Sequence, residues 1–196
     1  MEGDLSSPAS PKALVLMIHG TGAGRYSTWN RKVADYLNEQ GVATFLCDLT
    51  DAVERESELY NEKLLVDRVS QIITGLRSES LFAHIPMFFL GSGSGVAVAV
   101  LVSEKLHCKE IAGIISKGDR MDYSKVFLDK VHCPMLLLVG NKDQEEGKIN
   151  QKWLDSLIGR KSLAIVNGAG PMSEEPEIIE QVGEKSFRWM NQIISD

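Results

Sequence analysis

The sequence predicts an α/β fold: one domain in three layers, with about six mostly parallel strands and helices on both faces. Three observations carry that prediction. Short runs that are apolar at odd and even positions alike recur along the chain, as in strands covered on both sides. Segments with apolar residues at helical spacing lie between them, and such alternation closes into a parallel sheet with right-handed crossovers. Polar or glycine-rich loops follow the strands, where sheets of this kind bind ligands. A chain of 196 residues suits a single domain that buries roughly 70% of its unfolded surface. Residues 12–196 form that domain, and residues 1–11 read as a flexible lead-in without the marks of a signal peptide.

Taken in order, Lys12-Ala13-Leu14-Val15-Leu16-Met17-Ile18 predicts the first strand and His19-Gly20-Thr21-Gly22-Ala23-Gly24-Arg25 its exit loop. Ser27 or Thr28 can cap the helix in which Trp29, Val33, Tyr36 and Leu37 share a face, and Gly41 ends it. Residues 42–47 predict the second strand, and Asp48-Leu49-Thr50-Asp51 begins a charged loop. Across residues 59–77, Leu65, Val66, Val69, Ile72, Ile73 and Leu76 mark a long amphipathic helix. Residues 85–90 form a third strand running into Gly91-Ser92-Gly93-Ser94-Gly95, and a helix of small apolar residues follows to about His107. Strands are then expected at 110–115, 134–140 and 162–166, with helices at 123–130, 148–158 and 175–194. Polar loops at 116–122, 141–147 and 167–173 complete the rim at the strand ends.

Composition narrows the function. A net charge of -6 without Lys/Arg clusters argues against nucleic acid or an anionic membrane as partner, and the apolar runs are too short for a membrane span. Cys47, Cys108 and Cys133 lack metal-ligand or redox spacing, which predicts reduced thiols in a cytoplasmic protein, with Cys47 in the core. The acidic group Asp143, Glu145 and Glu146 lacks the spacing of a calcium loop. No metal and no cofactor is expected. Trp29, Trp153 and Trp189 are expected to face the core from amphipathic helices.

The segment Leu90-Gly91-Ser92-Gly93-Ser94-Gly95-Val96 has the outline of a strand, a tight turn and a helix. In a Gly-x-Ser-x-Gly nucleophile elbow the outer glycines are needed because a Cβ there would meet the neighbouring strand or helix. Here Gly91 and Gly95 are those glycines, and the nucleophile position is Gly93.

With these loops the chain resembles a small α/β hydrolase of the dienelactone-hydrolase-like group, in particular the compact bacterial hydrolases sometimes fused to phosphoribosyltransferases. The resemblance runs from Lys12 to Ile194. Its carriers are Ile18-His19-Gly20-Thr21-Gly22-Ala23-Gly24-Arg25, Asn30-Arg31-Lys32-Val33-Ala34 and Gly41-Val42-Ala43-Thr44. Ser116-Lys117-Gly118-Asp119-Arg120-Met121-Asp122, the strand ending at Gly140 with Asp143 beyond it, and Gly168-Ala169-Gly170-Pro171-Met172 complete them. The family's chemistry implies Ser, Asp and His in that order: the serine attacks, the histidine moves its proton, and the acid orients the imidazole. On this chain the three positions are Gly93, Asp143 and Pro171, so the nucleophile and histidine positions are vacant.

Ser94 with His19 as base is the substitute pair to weigh, although a serine one residue off the apex lacks the exposed geometry. The remaining rim implies binding. Backbone donors at Gly20 and Thr21 and at the elbow, together with His19 and Ser92, suit an anion or a carbonyl oxygen. Arg25, Lys117 and Arg120 either add positive charge there or pair with Asp48, Asp51 and Asp122 to fix loops. The expected function is a catalytically degenerate pseudo-hydrolase that binds a small ligand or a protein partner. The alternatives are a serine-type hydrolase of small esters or lactones with a non-standard site, and a structural or interaction protein, an oligomer among them.

Overall fold

A computed structural model describes residues 2–19, 24–50, 62–117, 131–142, 144–170 and 173–196. Seven strands form the sheet: β1 (Gly3–Ser6), β2 (Leu14–Ile18), β3 (Ala43–Cys47), β4 (Met87–Ser92), β5 (Gly113–Lys117), β6 (Met135–Gly140) and β7 (Lys161–Val166). Their order is β1-β3-β2-β4-β5-β6-β7. β1 runs antiparallel to β3, and every other pairing is parallel. The helices described are α1 (Thr28–Glu39), α2 (Glu62–Ser78), α3 (Ser94–Lys105), α4 (Gln144–Ser156) and α5 (Pro176–Ser195).

Two cores lie on opposite faces of the sheet. Leu14, Leu16, Phe89, Ile114 and Leu137 pack with apolar residues of α2, α3 and α4. Val15, Met17, Phe88, Leu90 and Leu138 pack with α1 and α5. Phe88 and Phe89 show the period of two directly, since each is fully buried on a different face. Phe88 meets Trp189 of α5 edge to face at 6.1 Å, the arrangement that ring quadrupoles favour. This double cover is why the strands read as continuous apolar runs.

The local signals act as expected at several boundaries. Ser27 caps α1 by accepting the Asn30 amide at 3.4 Å, and Gly41 follows the helix with φ of 82°, a conformation that glycine adopts without a Cβ penalty. α5 opens with Pro176 at its first position, where the missing N–H costs nothing. The expected helix at 123–130 lies outside the described residues.

Two expectations are corrected. The N-terminal stretch is not wholly a flexible lead-in, because Gly3–Ser6 pairs with β3 in register, Gly3 opposite Cys47 and Ser6 opposite Thr44. Gly3-Asp4-Leu5-Ser6 is too short to carry a periodicity, so the strand depends on its partner, and a Cβ at Gly3 would run into the ring of Phe45. The cysteines are not all reduced thiols. Cys108 and Cys133 are joined in a disulfide with Cα atoms 5.4 Å apart, leaving Cys47 free and buried. Spacing along the chain conceals this pair, because β5 carries the chain up through the sheet between them. Burial, reinforced by Asp48, pushes the Cys47 thiol up to about 12, so it stays protonated at neutral pH.

No helix among the described residues is long and apolar enough to cross a membrane.

The tightest contact in the fold is at Gly95, where a Cβ would lie 2.1 Å from the carbonyl oxygen of Ile18. Ile18 is held by its pairing with β4 and Gly95 by the first turn of α3, so Gly95→Ala is expected to destabilise the domain by roughly 3 kcal/mol. Urea unfolding of the two proteins measures the difference, and unchanged stability would contradict the close approach.

Candidate functional site: a strand-to-helix turn and its rim

β4 ends at Ser92, α3 begins at Ser94, and Gly93 makes the whole turn between them. Its backbone stands at φ 52°, ψ -132°, a left-handed conformation that costs a residue with a Cβ on the order of 1–3 kcal/mol. The Val96 amide donates to the Gly93 carbonyl at 3.1 Å, closing the turn. The flanking glycines are explained by what surrounds them. A Cβ at Gly91 would lie 3.0 Å from Cα of Val96, while Gly95 presses on β2 as described above. The strand, tight turn and helix expected from the sequence are all present, and the residue at the apex of the turn, Gly93, has no side chain. Ser92 and Ser94 stand one residue to either side, on the strand and on the helix.

Strand order sets β3, β2, β4 and β5 side by side, so their exits share one rim. His19, at the exit of β2, is buried at 9% exposure. Its Nε2 lies 2.5 Å from the Cys47 carbonyl oxygen; a carbonyl only accepts, so Nε2 carries the proton and donates. His19 thus ties the exit of β2 to that of β3, and its Nε2 is unsuited to take a proton from Ser94.

Arg25 is equally committed. Its amide donates to Asp48 Oδ1 at 3.0 Å, and its Nε lies 3.3 Å from Asp48 Oδ2. The guanidinium also pairs with Glu2, approaches Asp4 at 3.6 Å and donates to the Tyr26 hydroxyl at 2.6 Å. Burial alone would lower the Arg25 pKa, but Tyr26, Glu2 and Asp4 outweigh it and hold the pKa raised. Arg31 joins the same knot, donating to Asp4 at 2.8 Å and to the Arg25 carbonyl at 3.2 Å. Of the two roles weighed for Arg25, the geometry supports fixing loops.

Lys117 differs. It ends β5 in register with Ser92, and its Nζ lies 3.8 Å from the ring centroid of Trp29 in the first turn of α1. β4 lies between β2 and β5, so the lysine reaches across the end of β4 to a helix that follows β2. A cation over an indole face is stabilised by about 0.5–2 kcal/mol, depending on desolvation. Trp29 is buried as expected, but the role of its ring as a seat for Lys117 was not legible. Its Nε1 and the Asn30 Nδ2 are buried donors for which the described residues supply no acceptor.

On the other side of the elbow, the exits of β6 and β7 are stitched together. A Cβ at Gly140 would lie 2.5 Å from the Ala169 carbonyl oxygen, which accepts the Lys142 amide at 3.0 Å. Asn141 accepts from the Gly168 amide at 2.8 Å and donates to Asn167 at 3.2 Å. Ser173 receives the Gly170 amide at 2.8 Å. Residues 140–142 and 167–170 therefore lie side by side. Asp143 and Pro171 themselves, with Gly20, Thr21 and Arg120, fall outside the described residues.

A seven-stranded, mostly parallel sheet covered on both faces, with this elbow at its centre, defines the α/β-hydrolase fold, and the chain has that fold. Within it, the chain is similar over nearly its whole length to a dienelactone hydrolase from Anabaena variabilis. The two share 29% identity over 97% of this chain and 90% of that one, with a TM-score of 0.87. Est1E from Butyrivibrio proteoclasticus, in a structure with ferulic acid bound, shares the fold at 16% identity, with a TM-score of 0.80 over 100% of this chain and 96% of that one. The esterase domain of a Rhodothermus marinus protein does so at 16% identity, with a TM-score of 0.74 over 98% and 92% of the two chains. No family model matches. Two Mycobacterium tuberculosis proteins, each provisionally named a phosphoribosyl transferase, are 31% identical over 189 residues. The match takes in 95% of this chain but only 42% of theirs.

Because His19 holds two strand exits together through a buried hydrogen bond, His19→Ala is expected to cost about 1–3 kcal/mol of stability. Denaturant unfolding reads the loss, and a fully stable variant would show the bond to be idle.

Proposed function

We propose that this protein is a catalytically degenerate α/β hydrolase, a pseudo-hydrolase that binds a small acyl-type ligand at the elbow without turning it over. The observation that carries the reading is Gly93 at φ 52° on the apex of an otherwise complete elbow. A family mechanism needs a nucleophile there and a base beside it. Glycine offers no nucleophile, and Pro171 offers no nitrogen that could accept a proton. Losing either triad member costs several powers of ten in rate.

Binding needs less. The N-terminal end of α3 favours negative charge through the helix dipole, and Lys117 lies across the same strand end. A carboxylate or a polarised ester carbonyl is the group this arrangement suits. The likeness to a dienelactone hydrolase supports an ester, lactone or carboxylate as ligand class.

The test is hydrolysis of short activated aryl esters by the parent beside a Gly93→Ser/Pro171→His double variant. The parent is expected to remain at background and the variant to exceed it by at least ~10²-fold, since a restored triad adds powers of ten to what binding alone supplies. Turnover by the parent that Ser94→Ala abolishes would replace this reading with that of a serine hydrolase using a non-standard site. In the silent parent, Lys117→Ala is expected to weaken binding of a short-chain carboxylate about tenfold, measured by calorimetry, as for loss of one charge-assisted contact.

A further inference from the structure

We propose that the Cys108–Cys133 disulfide is a reversible thiol-exchange site, in which Cys108 takes a low-molecular-weight thiol of the glutathione class and Cys133 is the internal thiol that closes the bridge again. The two sulfurs are bonded, but they are not equally accessible. Cys133 is buried at 1% exposure, whereas Cys108 is only partly covered. Exchange requires in-line approach of a thiolate to one sulfur, and Cys108 is the less buried of the two residues.

The backbone at Cys108 is also unusual. His107 and Cys108 follow α3 at φ 49° and 54°, the two non-glycine residues with positive φ among those described. Each such conformation is costly and persists only where the surroundings impose it. The turn is held on one side by the Cys108 amide on the Ser103 carbonyl at 2.9 Å and on the other by the bridge. Opening the bridge leaves only the helix end to impose the turn.

The position of the bridge gives the exchange a consequence. Cys108 precedes β5 and Cys133 precedes β6, and Ile114 pairs with Met135 just above them. The chain between the two cysteines includes β5 with Lys117, and Arg120 beyond it. The bridge therefore closes, at the base of the sheet, the excursion that carries Lys117 to the end of β5. Cys47 cannot join the exchange: it ends β3 at the opposite end of the sheet and is buried.

The steps balance without a further reagent. A thiolate attacks Sγ of Cys108, the Cys108–Cys133 bond breaks, and Cys133 leaves as a thiolate that takes a proton from water. The mixed disulfide on Cys108 then has two fates. Cys133 attacks it and restores the bridge, expelling the small thiol. Alternatively, a second small thiolate releases Cys108 as a thiol and departs as the symmetrical small disulfide, the oxidant that reverses the sequence. In a cytoplasmic setting disulfides are usually transient, and this one is built to cycle.

Thiol counting and trapping test the proposal. Unfolded without reductant, the protein is expected to titrate one thiol, and three after reduction. Folded Cys133→Ser protein incubated with oxidised glutathione is expected to carry one adduct, mapped to Cys108, and folded Cys108→Ser protein none. Reductant is expected to lower the parent Tm by roughly 10 °C, as for opening a loop of this length in a domain of this size, and to leave a Cys108→Ser/Cys133→Ser double variant unmoved. Three thiols after oxidised glutathione treatment, no adduct on Cys133→Ser, or a bridge that reduces only on unfolding would each overturn it.

Discussion

The approach of Gly95 to the carbonyl of Ile18 is the constraint from which the rim is built. Two backbones meet there without a side chain between them, so α3 must begin where β2 ends. That contact sets the height of the elbow relative to the neighbouring exits. His19 follows Ile18 directly and can reach the Cys47 carbonyl only because β2 stops at this level. Ser92 and Lys117 are level with each other in register at the ends of β4 and β5. One missing methyl group thus places the floor of the site, and hydrogen bonds and ion pairs then fix its walls.

Gly93 looks different in this light. The turn is imposed by packing on both sides, through Gly91 against Val96 and Gly95 against Ile18, so its left-handed backbone does not depend on what occupies the apex. A serine in this place would bear the strain in exchange for reactivity, and glycine bears none. Glycine at the apex is therefore the residue that this backbone accommodates at least cost, in keeping with the usual opposition between active-site strain and stability. The exits of β6 and β7 are likewise held by backbone packing and local hydrogen bonds, through Gly140 against Ala169 and Asn141 on the Gly168 amide.

Much of the fold was legible because its signals are local. Doubly covered strands, Ser27 as a cap, Gly41 as a stop and the paired glycines of the elbow are each written in a few consecutive residues. The features that escaped reading depend on partners far along the chain. β1 is a strand only beside β3, with Gly3 under Phe45. The disulfide joins residues separated by 25 positions, and the Lys117–Trp29 contact joins a strand end to a helix start across β4. Even the boundaries follow this division: β5 was expected from residue 110 and begins at Gly113, where pairing with β4 begins opposite Phe88.

The knot around Arg25 has an uneven edge. Asp48 faces the guanidinium from within the fold at 18% side-chain exposure, whereas Glu2 stands in solvent at 75% and Asp4 at 46%. Dissolved ions screen exposed pairs far more than sheltered ones. Raising ionic strength therefore loosens the grip of Arg25 on the N-terminal strand first and its grip on the β3 exit last. The molecule has a built-in order of disassembly, in which β1 peels from the sheet edge as a separate, low-energy opening while the elbow and its rim stay assembled.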